Sequence, residues 1–307
     1  MAEKWCMQPC FLPIFYKDIA KSIENLEVRP DDVWVVTFPK CGTNWTKEMV
    51  WQIRHDNDFE EPKKVYQEKR FPFLEFGCIF SRSWGLSDNL KHIENMSSPR
   101  TIMSHLPAHL IPRQIWTVRP KIIYVTRNVK DAAVSFYHHY RNFQRSDCTF
   151  ETFMEAYMQD KILFGPYHAH VVDFWRMRHE MNILFLTYED MKRDHPSVIE
   201  ETAKFLGKSL SKDQICSLTD YLSFSKFSEN SSVNKQHIFK HIDNVLGSSK
   251  PDENYNFIRK GKIGGFKEEM TTELIQKFNK WAECEAKKWN YEPELKEIIM
   301  FSENVCK

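Results

Sequence analysis

A short segment at residues 38–45, FPKCGTNW, carries a lysine and a glycine in positions where they could bind an anion. It follows an apolar, β-branched run and precedes residues with helical spacing, so backbone N–H groups and a helix N-terminus should converge there. Lys40 would add a positive charge at the same point, as is typical of loops that bind phosphate-like anions. The alternative is an ordinary turn with Asn44 as the helix N-cap.

The usual nucleotide-binding signatures are missing. In G-x-x-x-x-G-K-[ST] the lysine follows the second glycine, whereas Lys40 precedes Gly42. The Gly-Lys-Ser at residues 207–209 has Thr202 in place of the first glycine, and it ends a predicted helix. There is no G-x-G-x-x-G either, so kinases of mononucleotides and dinucleotide oxidoreductases are disfavoured.

Two further basic sites follow along the chain. Arg127 ends a predicted strand, and Ser135 lies in the first turns of the helix after it. Arg259 and Lys260 precede the flexible Gly261. Each site alone resembles an ordinary surface charge, but together with Lys40 they indicate a ligand with two separated anionic groups.

β-branched runs and helical segments alternate and must position these residues. The runs lie at 33–38, 121–126 and 182–188. They predict an α/β fold, with a mostly parallel central sheet flanked by helices and ligands at the carboxyl ends of the strands. We expect a single domain over residues 1–307, a helix at about 270–290 and, at 228–258, a polar, irregular lid loop.

Composition narrows the class of protein. The 307 residues are 42% apolar, enough for a large core, and the net charge of +1 offers no field for nucleic acid or an anionic membrane. No apolar run is long enough for a signal peptide or a membrane span, and the eight cysteines form no C-x-x-C pair. We therefore expect a cytoplasmic protein with free thiols and neither nucleic-acid nor membrane partners.

Five ordered motifs resemble the cytosolic sulfotransferase family. They are FPKCGTNW (38–45), SHLP (104–107), YVTRNVKD with VS (124–131, 134–135), LTYEDM (186–191) and RKG (259–261). The match extends from RPDD at residues 29–32 to the C-terminal helix.

The resemblance implies 3′-phosphoadenosine 5′-phosphosulfate (PAPS) as donor, with 3′-phosphoadenosine 5′-phosphate (PAP) as product. The implied donor-binding residues are Lys40, Cys41, Gly42, Thr43, Asn44 and Trp45 for the phosphosulfate, with Trp45 and Phe224 on the adenine; Arg127, Ser135, Arg259, Lys260 and Gly261 for the 3′-phosphate; and Tyr188 and Ser223 for the nucleoside. No metal is expected, because lysine and backbone donors can stabilise the charge that the leaving bisphosphate gains.

The resemblance also implies the reacting groups. Lys40 would lie beside the bridging oxygen, and Lys40 and Ser135 would join His105 as catalytic residues. Histidine suits the role of general base because its ordinary pKa lies near neutral pH. A lone histidine is more often a packing residue, and only the family match favours a base at position 105.

The acceptor pocket would be aromatic. Its candidate residues are Tyr16, Phe73, Phe76, His105, Phe136 and Tyr137. Such walls favour small lipophilic hydroxyl or amine acceptors, including phenols, steroids and lipid alcohols. The alternative for each aromatic residue is a place in the core.

The sequence departs from the family pattern in three features. Met103 stands two residues before His105, where the family commonly has lysine, so a cation for the sulfuryl oxygens is missing. We expect a lower turnover, an unusual acceptor or a substitute cation from elsewhere. Leu222 replaces a threonine near the adenine, and the family's dimer motif at 267–276 has Thr272 and Gln276 in place of valine and glutamate, which weakens that route to a homodimer.

Two other functions remain open on this scaffold. One is a lipid alcohol dehydratase that sulfonates its substrate and then loses sulfate. The other is a binding protein for PAPS or a lipophile, in which Met103 marks weakened catalysis. A Golgi carbohydrate sulfotransferase is disfavoured, since it would need an N-terminal membrane anchor.

Overall fold

The structure, a computed structural model, describes Trp5 and residues 8–79, 89–247 and 252–300. Within these residues, four parallel strands form a sheet in the order β2-β1-β3-β4. They are β1 (Val33–Thr37), β2 (Thr101–Ser104), β3 (Lys121–Thr126) and β4 (Ile183–Thr187). The predicted fold, a parallel sheet flanked by helices, is confirmed.

Helices occupy most of the remaining described chain. They are α1 (Tyr16–Glu24), α2 (Thr43–Arg54), α3 (Glu61–Lys64), α4 (Gln67–Arg70), α5 (Asn89–Asn95), α6 (Ile115–Val118), α7 (Val129–Phe143), α8 (Phe150–Met158), α9 (Tyr167–Arg176), α10 (Tyr188–Arg193), α11 (His195–Leu206), α12 (Lys212–Tyr221), α13 (Phe224–Glu229), α14 (Gln236–Leu246), α15 (Thr272–Lys288) and α16 (Pro293–Met300). Short 3-10 helices lie at Phe76–Cys78 and Gly265–Glu268.

Both faces of the sheet are buried, as its continuous apolar strands require. Successive residues of β1 point to opposite faces. Val33 and Val35 pack in one hydrophobic cluster with Met49 of α2. Trp34 and Val36 pack in a second cluster that contains residues of α7, α8 and α9. Helices therefore cover the sheet on each side.

The carboxyl ends of the four strands bring the predicted site residues to one edge of the sheet. β1 leads to Lys40, β2 ends directly before His105, β3 directly before Arg127, and β4 directly before Tyr188. These residues come from distant parts of the chain. The parallel topology alone places them together.

One sequence prediction is wrong in part. The sequence predicts a long loop with one helical turn at 228–258, but Gln236–Leu246 form the 11-residue helix α14. Residues 248–251 of this segment lie outside the described residues. Its residues Ile238, Phe239 and Ile242 bury an apolar face against Phe143 and Tyr255. Polar residues interrupt the apolar positions in the sequence because they lie on the opposite face of the helix.

Further features concern membrane, metal and thiol chemistry. None of the described helices is both long and apolar enough to cross a membrane. In the same residues, no group of three or more histidine, cysteine, aspartate or glutamate side chains is arranged to hold a metal ion. The described cysteines are free thiols: Cys10, Cys41, Cys78, Cys148, Cys216 and Cys284.

Candidate active site

The loop between β1 and α2 has the geometry of an anion-binding turn. Lys40 and Gly42 both have left-handed backbone, with φ of 69° and 100°. A Cβ atom on Gly42 would lie 2.9 Å from the Tyr188 ring, so the close approach of that ring requires glycine. Helix α2 begins at Thr43 with Gly42 as its N-cap, and the alternative of Asn44 as the cap is therefore wrong.

Most of the predicted site residues line one cavity of about 240 Å³. These are Lys40, Gly42, Thr43, Asn44, Trp45, Phe73, Phe76, His105, Arg127, Ser135, Phe136, Tyr188, Phe224, Arg259, Lys260 and Gly261. Tyr16, Cys41, Tyr137 and Ser223 are not among the described residues that line it.

Three of these four pack in the core or against it, and Tyr16 of α1 is partly buried there. Tyr137 follows Phe136 on α7, and neighbouring helical residues diverge by about 100°. Tyr137 therefore packs on Phe150 and Phe153. The Cys41 thiol is buried and donates to the Pro39 carbonyl.

Lys40, Arg127 and Arg259 form a cationic end of the cavity. Burial and the charges of Arg259 and Arg127 lower the pKa of Lys40 to about 7, because each disfavours the ammonium form. The Arg127 guanidinium lies 4.2 Å from the centre of the Tyr188 ring. Its Nε is buried and makes no hydrogen bond to any described residue. This end is built for an anion.

Two acidic residues whose role the sequence did not reveal position the basic site at Arg259 and Lys260. Glu269 accepts hydrogen bonds from Arg259 (2.6 Å) and Lys260 (3.0 Å). Asp131 accepts from the backbone N–H groups of Gly264 (2.7 Å) and Phe266 (2.9 Å). The loop at 259–266 is thereby fixed to α7. Asp131 belongs to the quoted motif at 124–131, but its partners are more than 130 residues away in sequence.

The aromatic residues Trp45 and Phe224 line the same cavity as these cations. The Trp45 indole donates to the Leu222 carbonyl (3.0 Å), which fixes the ring between α2 and α12. A Cβ atom on Gly261, where φ is 61°, would lie 2.4 Å from the Phe224 ring. The Phe224 ring therefore lies directly against the Gly261 backbone. Two such rings suit a flat heterocycle such as a purine.

His105 lies between the cationic end and the aromatic remainder of the cavity. Its Nδ1 is 2.8 Å from the Thr37 carbonyl oxygen. Since a carbonyl can only accept, Nδ1 carries the proton and Nε2 keeps its lone pair. The buried Glu75, which the sequence analysis missed, accepts from the His105 backbone N–H (2.5 Å) and from Ser104 Oγ (2.9 Å).

Burial, followed by the charges of His170, Lys40 and Lys47, lowers the pKa of His105 to about 3. The Thr37 hydrogen bond opposes this shift only in part. The imidazole is therefore neutral at neutral pH, as a proton acceptor must be.

The aromatic part of the cavity surrounds this imidazole. Ring centres of Phe73 and Phe164 lie 5.1 and 5.5 Å from that of His105. Phe164, Phe143 and Phe257 also line the cavity, although the sequence offered no signal for them. The fold and the site together define an α/β group-transfer enzyme with an anionic donor and an apolar acceptor.

Comparison with known proteins gives the family. Residues 30–290 match the family model described as the sulfotransferase domain. Luciferin sulfotransferase of Photinus pyralis is 37% identical over 283 residues, covering 88% of this chain and 75% of that protein. Sulfotransferase 1E1 of Homo sapiens is 33% identical over 297 residues, covering 94% and 92%.

A solved structure agrees with these relatives. Retinol dehydratase in complex with androsterone and inactive cofactor PAP superposes with a TM-score of 0.82 at 30% identity, covering 91% of this chain and 88% of that one. The chain belongs to the sulfotransferase family, and it is a PAPS-dependent sulfotransferase. The resemblance seen in the sequence is confirmed.

Proposed function

We propose that this enzyme transfers a sulfuryl group from PAPS to the hydroxyl or amine of a small lipophilic acceptor, with His105 as general base. The observation that carries the proposal is the position of a neutral imidazole where a cationic region meets an aromatic one. A charged donor on one side and an apolar nucleophile on the other would meet at this histidine.

The residues present fit the donor. The Lys40 loop would bind the phosphosulfate through its backbone N–H groups. Ser135, with Arg127, Arg259 and Lys260, would bind the 3′-phosphate, and the buried, unpaired Nε of Arg127 supports this assignment. Trp45 and Phe224 would enclose the adenine. The proposal assigns no role to a metal ion.

The acceptor class follows from the cavity walls. Phe73, Phe76, Phe136 and Phe164 offer apolar surface close to the base. Two relatives agree with this chemistry, since one is a luciferin sulfotransferase and the retinol dehydratase structure contains androsterone. Phenols, steroids and lipid alcohols are therefore the acceptors to test first.

The reaction needs one proton transfer and one exchange of bonds to sulfur. PAPS, when bound, would supply the sulfuryl group, which would pass from the bridging phosphate oxygen to the acceptor oxygen or nitrogen. Nε2 of His105 accepts the acceptor's proton, because Nδ1 is held protonated by the Thr37 carbonyl. The Lys40 ammonium stabilises the negative charge that develops on the bridging oxygen.

Four expectations from the sequence are part of this proposal. Residues 1–307 would form a single domain in a cytoplasmic enzyme, and residues 228–258 would act as a lid. Ile238 and Phe257 from that segment line the cavity, which supports the lid. A homodimer is possible, but Thr272 and Gln276 weaken the apolar burial and the ion pair of the motif at 267–276.

The test is label transfer from sulfur-labelled PAPS to a panel of phenols, steroids, lipid alcohols and amines. We expect transfer to at least one class, and His105→Ala should lower kcat by about 10²–10⁴-fold. The matched control is His55→Ala, since His55 is exposed and lies outside the cavity. PAP affinity, measured by calorimetry, should stay within about threefold in both variants.

Two outcomes would contradict the proposal. An unchanged kcat in His105→Ala would show that another group is the base. Mass spectrometry of the product distinguishes a stable sulfate ester or sulfamate, which we expect, from a dehydrated product that has lost sulfate. The second result would assign the enzyme to lipid alcohol dehydration.

A further inference from the structure

Lys47 is a buried lysine of the cavity wall that neither the sequence motifs nor the proposed mechanism uses. It lies in the second turn of α2, is 2% exposed and lines the cavity. Its ammonium lies 5.4 Å from the centre of the Phe71 ring. Among the described residues, none hydrogen-bonds this ammonium or forms an ion pair with it.

The two nearby glutamates form ion pairs with other cations. Glu68 forms an ion pair with Lys235 (2.5 Å), and Glu48 forms one with Arg70 (2.7 Å). Burial and then the charge of Lys235 lower the pKa of Lys47 well below its ordinary value, with Glu68 opposing only in part. A buried lysine nitrogen without a hydrogen-bond partner among the described residues is costly to a fold, so a structural role does not explain it.

The position of Lys47 relates it to the reacting groups. Its charge is among those that act on His105, together with that of Lys40. The Phe71 ring beside the ammonium packs in the same cluster as Met103. Met103 lines the cavity too, two residues before the base. Lys47 and Met103 thus line the same cavity and share Phe71 as a neighbour.

We propose that Lys47 is a catalytic residue that is protonated when the anionic donor is bound and whose ammonium then stabilises the sulfuryl oxygens during transfer, in place of the cation that Met103 cannot supply. This inference deepens the proposed function and rests on it. The bond exchange is unchanged: acceptor to sulfur forms, sulfur to bridging oxygen breaks, and the proton goes to His105. Lys40 stabilises the negative charge on the bridging oxygen, whereas Lys47 stabilises the charge on the oxygens that stay on sulfur.

The test exchanges the charge between the two positions. Lys47→Met should lower kcat by about 10²-fold, the usual cost of removing one preorganised donor from a charged transition state. The double variant Lys47→Met with Met103→Lys should recover at least about tenfold of that loss, because the cation returns from β2. Lys277→Met is the control, since Lys277 pairs with Glu155 in solvent outside the cavity.

Binding supplies a readout that does not depend on turnover. PAPS has the sulfuryl oxygens and PAP lacks them. Calorimetry without acceptor should therefore show PAPS affinity reduced about tenfold in Lys47→Met and PAP affinity reduced less than about twofold. The melting temperature should not fall, because a buried polar nitrogen without a hydrogen-bond partner has been replaced by an apolar side chain of similar length.

Three results would overturn the inference. The first is an unchanged kcat in Lys47→Met. The second is an equal loss of PAPS and PAP affinity, which would place Lys47 at the phosphates or in the fold. The third is a change confined to the KM of the acceptor, which would show that Lys47 binds an anionic group of that substrate. If the parent labels no acceptor, the proposed acceptor class fails, while the PAPS-to-PAP affinity ratio still decides the role of Lys47.

Discussion

Lys40 must carry a charge in an environment that disfavours it. Its pKa is lowered to about 7 by burial and by Arg259 and Arg127, whereas the proposed donor requires the ammonium form. Below about pH 7 the free protein already has that form. Above about pH 7, binding of the donor must be accompanied by uptake of a proton at Lys40. We predict that PAP affinity and kcat/KM for PAPS fall as pH rises from about 7 to 9, by up to tenfold per pH unit.

Lys40→Arg separates this effect from other titrations, because a guanidinium stays charged throughout that range. The variant should lose the alkaline decrease in PAP affinity even if its kcat is lower. Calorimetry in buffers of different ionisation enthalpy should also show proton uptake on PAP binding by the parent at about pH 8 and none by Lys40→Arg. PAP affinity that is constant between about pH 7 and 9 in the parent would contradict the prediction.

The loop after α14 brings its glycine into direct contact with a proposed adenine-binding ring. Gly261 has φ of 61°, and an added Cβ would lie 2.4 Å from the Phe224 ring. Gly247, at the end of α14, has a similar φ of 63° with nothing within 4 Å of an added Cβ. Both alanine variants should lose about 1 kcal/mol of stability from backbone strain. Only Gly261→Ala must also displace Phe224, so we predict that it alone weakens PAP binding, by about tenfold or more.

Calorimetry with PAP and urea unfolding of both variants check this prediction. Equal PAP affinity in Gly261→Ala and Gly247→Ala would show that the position of Phe224 does not govern donor binding. Equal losses of stability in the two variants, together with weaker PAP binding in Gly261→Ala alone, would confirm the role of the contact with Phe224. Backbone strain would then be common to both variants, whereas displacement of the ring would be specific to Gly261→Ala.

The elements differ in how much of them the sequence could predict. Strand ends were predictable, because β-branched runs mark the strands and a parallel sheet must gather their carboxyl ends. Helix α14 was not, because its apolar face packs on Phe143 and Tyr255, whose position the sequence does not reveal. Similarly, adjacent Phe136 and Tyr137 look alike as apolar residues, and only the rotation of α7 places the first in the cavity and the second in the core.

The sequence also reveals only some of the charged residues of the site. The five motifs contain Lys40, Arg127 and Arg259, and their types alone indicated anion binding. Lys47 and Glu75 gave no such signal, since a charged residue in a helix or loop is ordinarily solvated. Their importance depends on burial, at 2% and 0% exposure, which is a property of the complete fold.

A buried ion pair lies at the amino ends of the strands, opposite the active site, and connects three parts of the chain. Arg100, before β2, donates to both carboxylate oxygens of Asp32, before β1, at 2.8 and 2.6 Å, and to the Glu27 carbonyl at 2.8 Å. Both charged residues are 1% exposed. Removing the cation leaves a buried carboxylate without its partner, so Arg100→Met should lower the free energy of unfolding by about 3–5 kcal/mol.

Urea unfolding measures this loss, and Arg119→Met provides the control. Arg119 also pairs with a glutamate, Glu180, but the two side chains are 43% and 40% exposed, so that variant should change stability by less than about 1 kcal/mol. The double variant Arg100→Met with Asp32→Leu should recover part of the loss, because the orphaned charge is then removed as well. Since the pair lies at the amino ends of the strands, PAP affinity of folded Arg100→Met should equal that of the parent. A loss below about 1 kcal/mol in Arg100→Met would show that the unpaired Asp32 carboxylate reaches water or another donor.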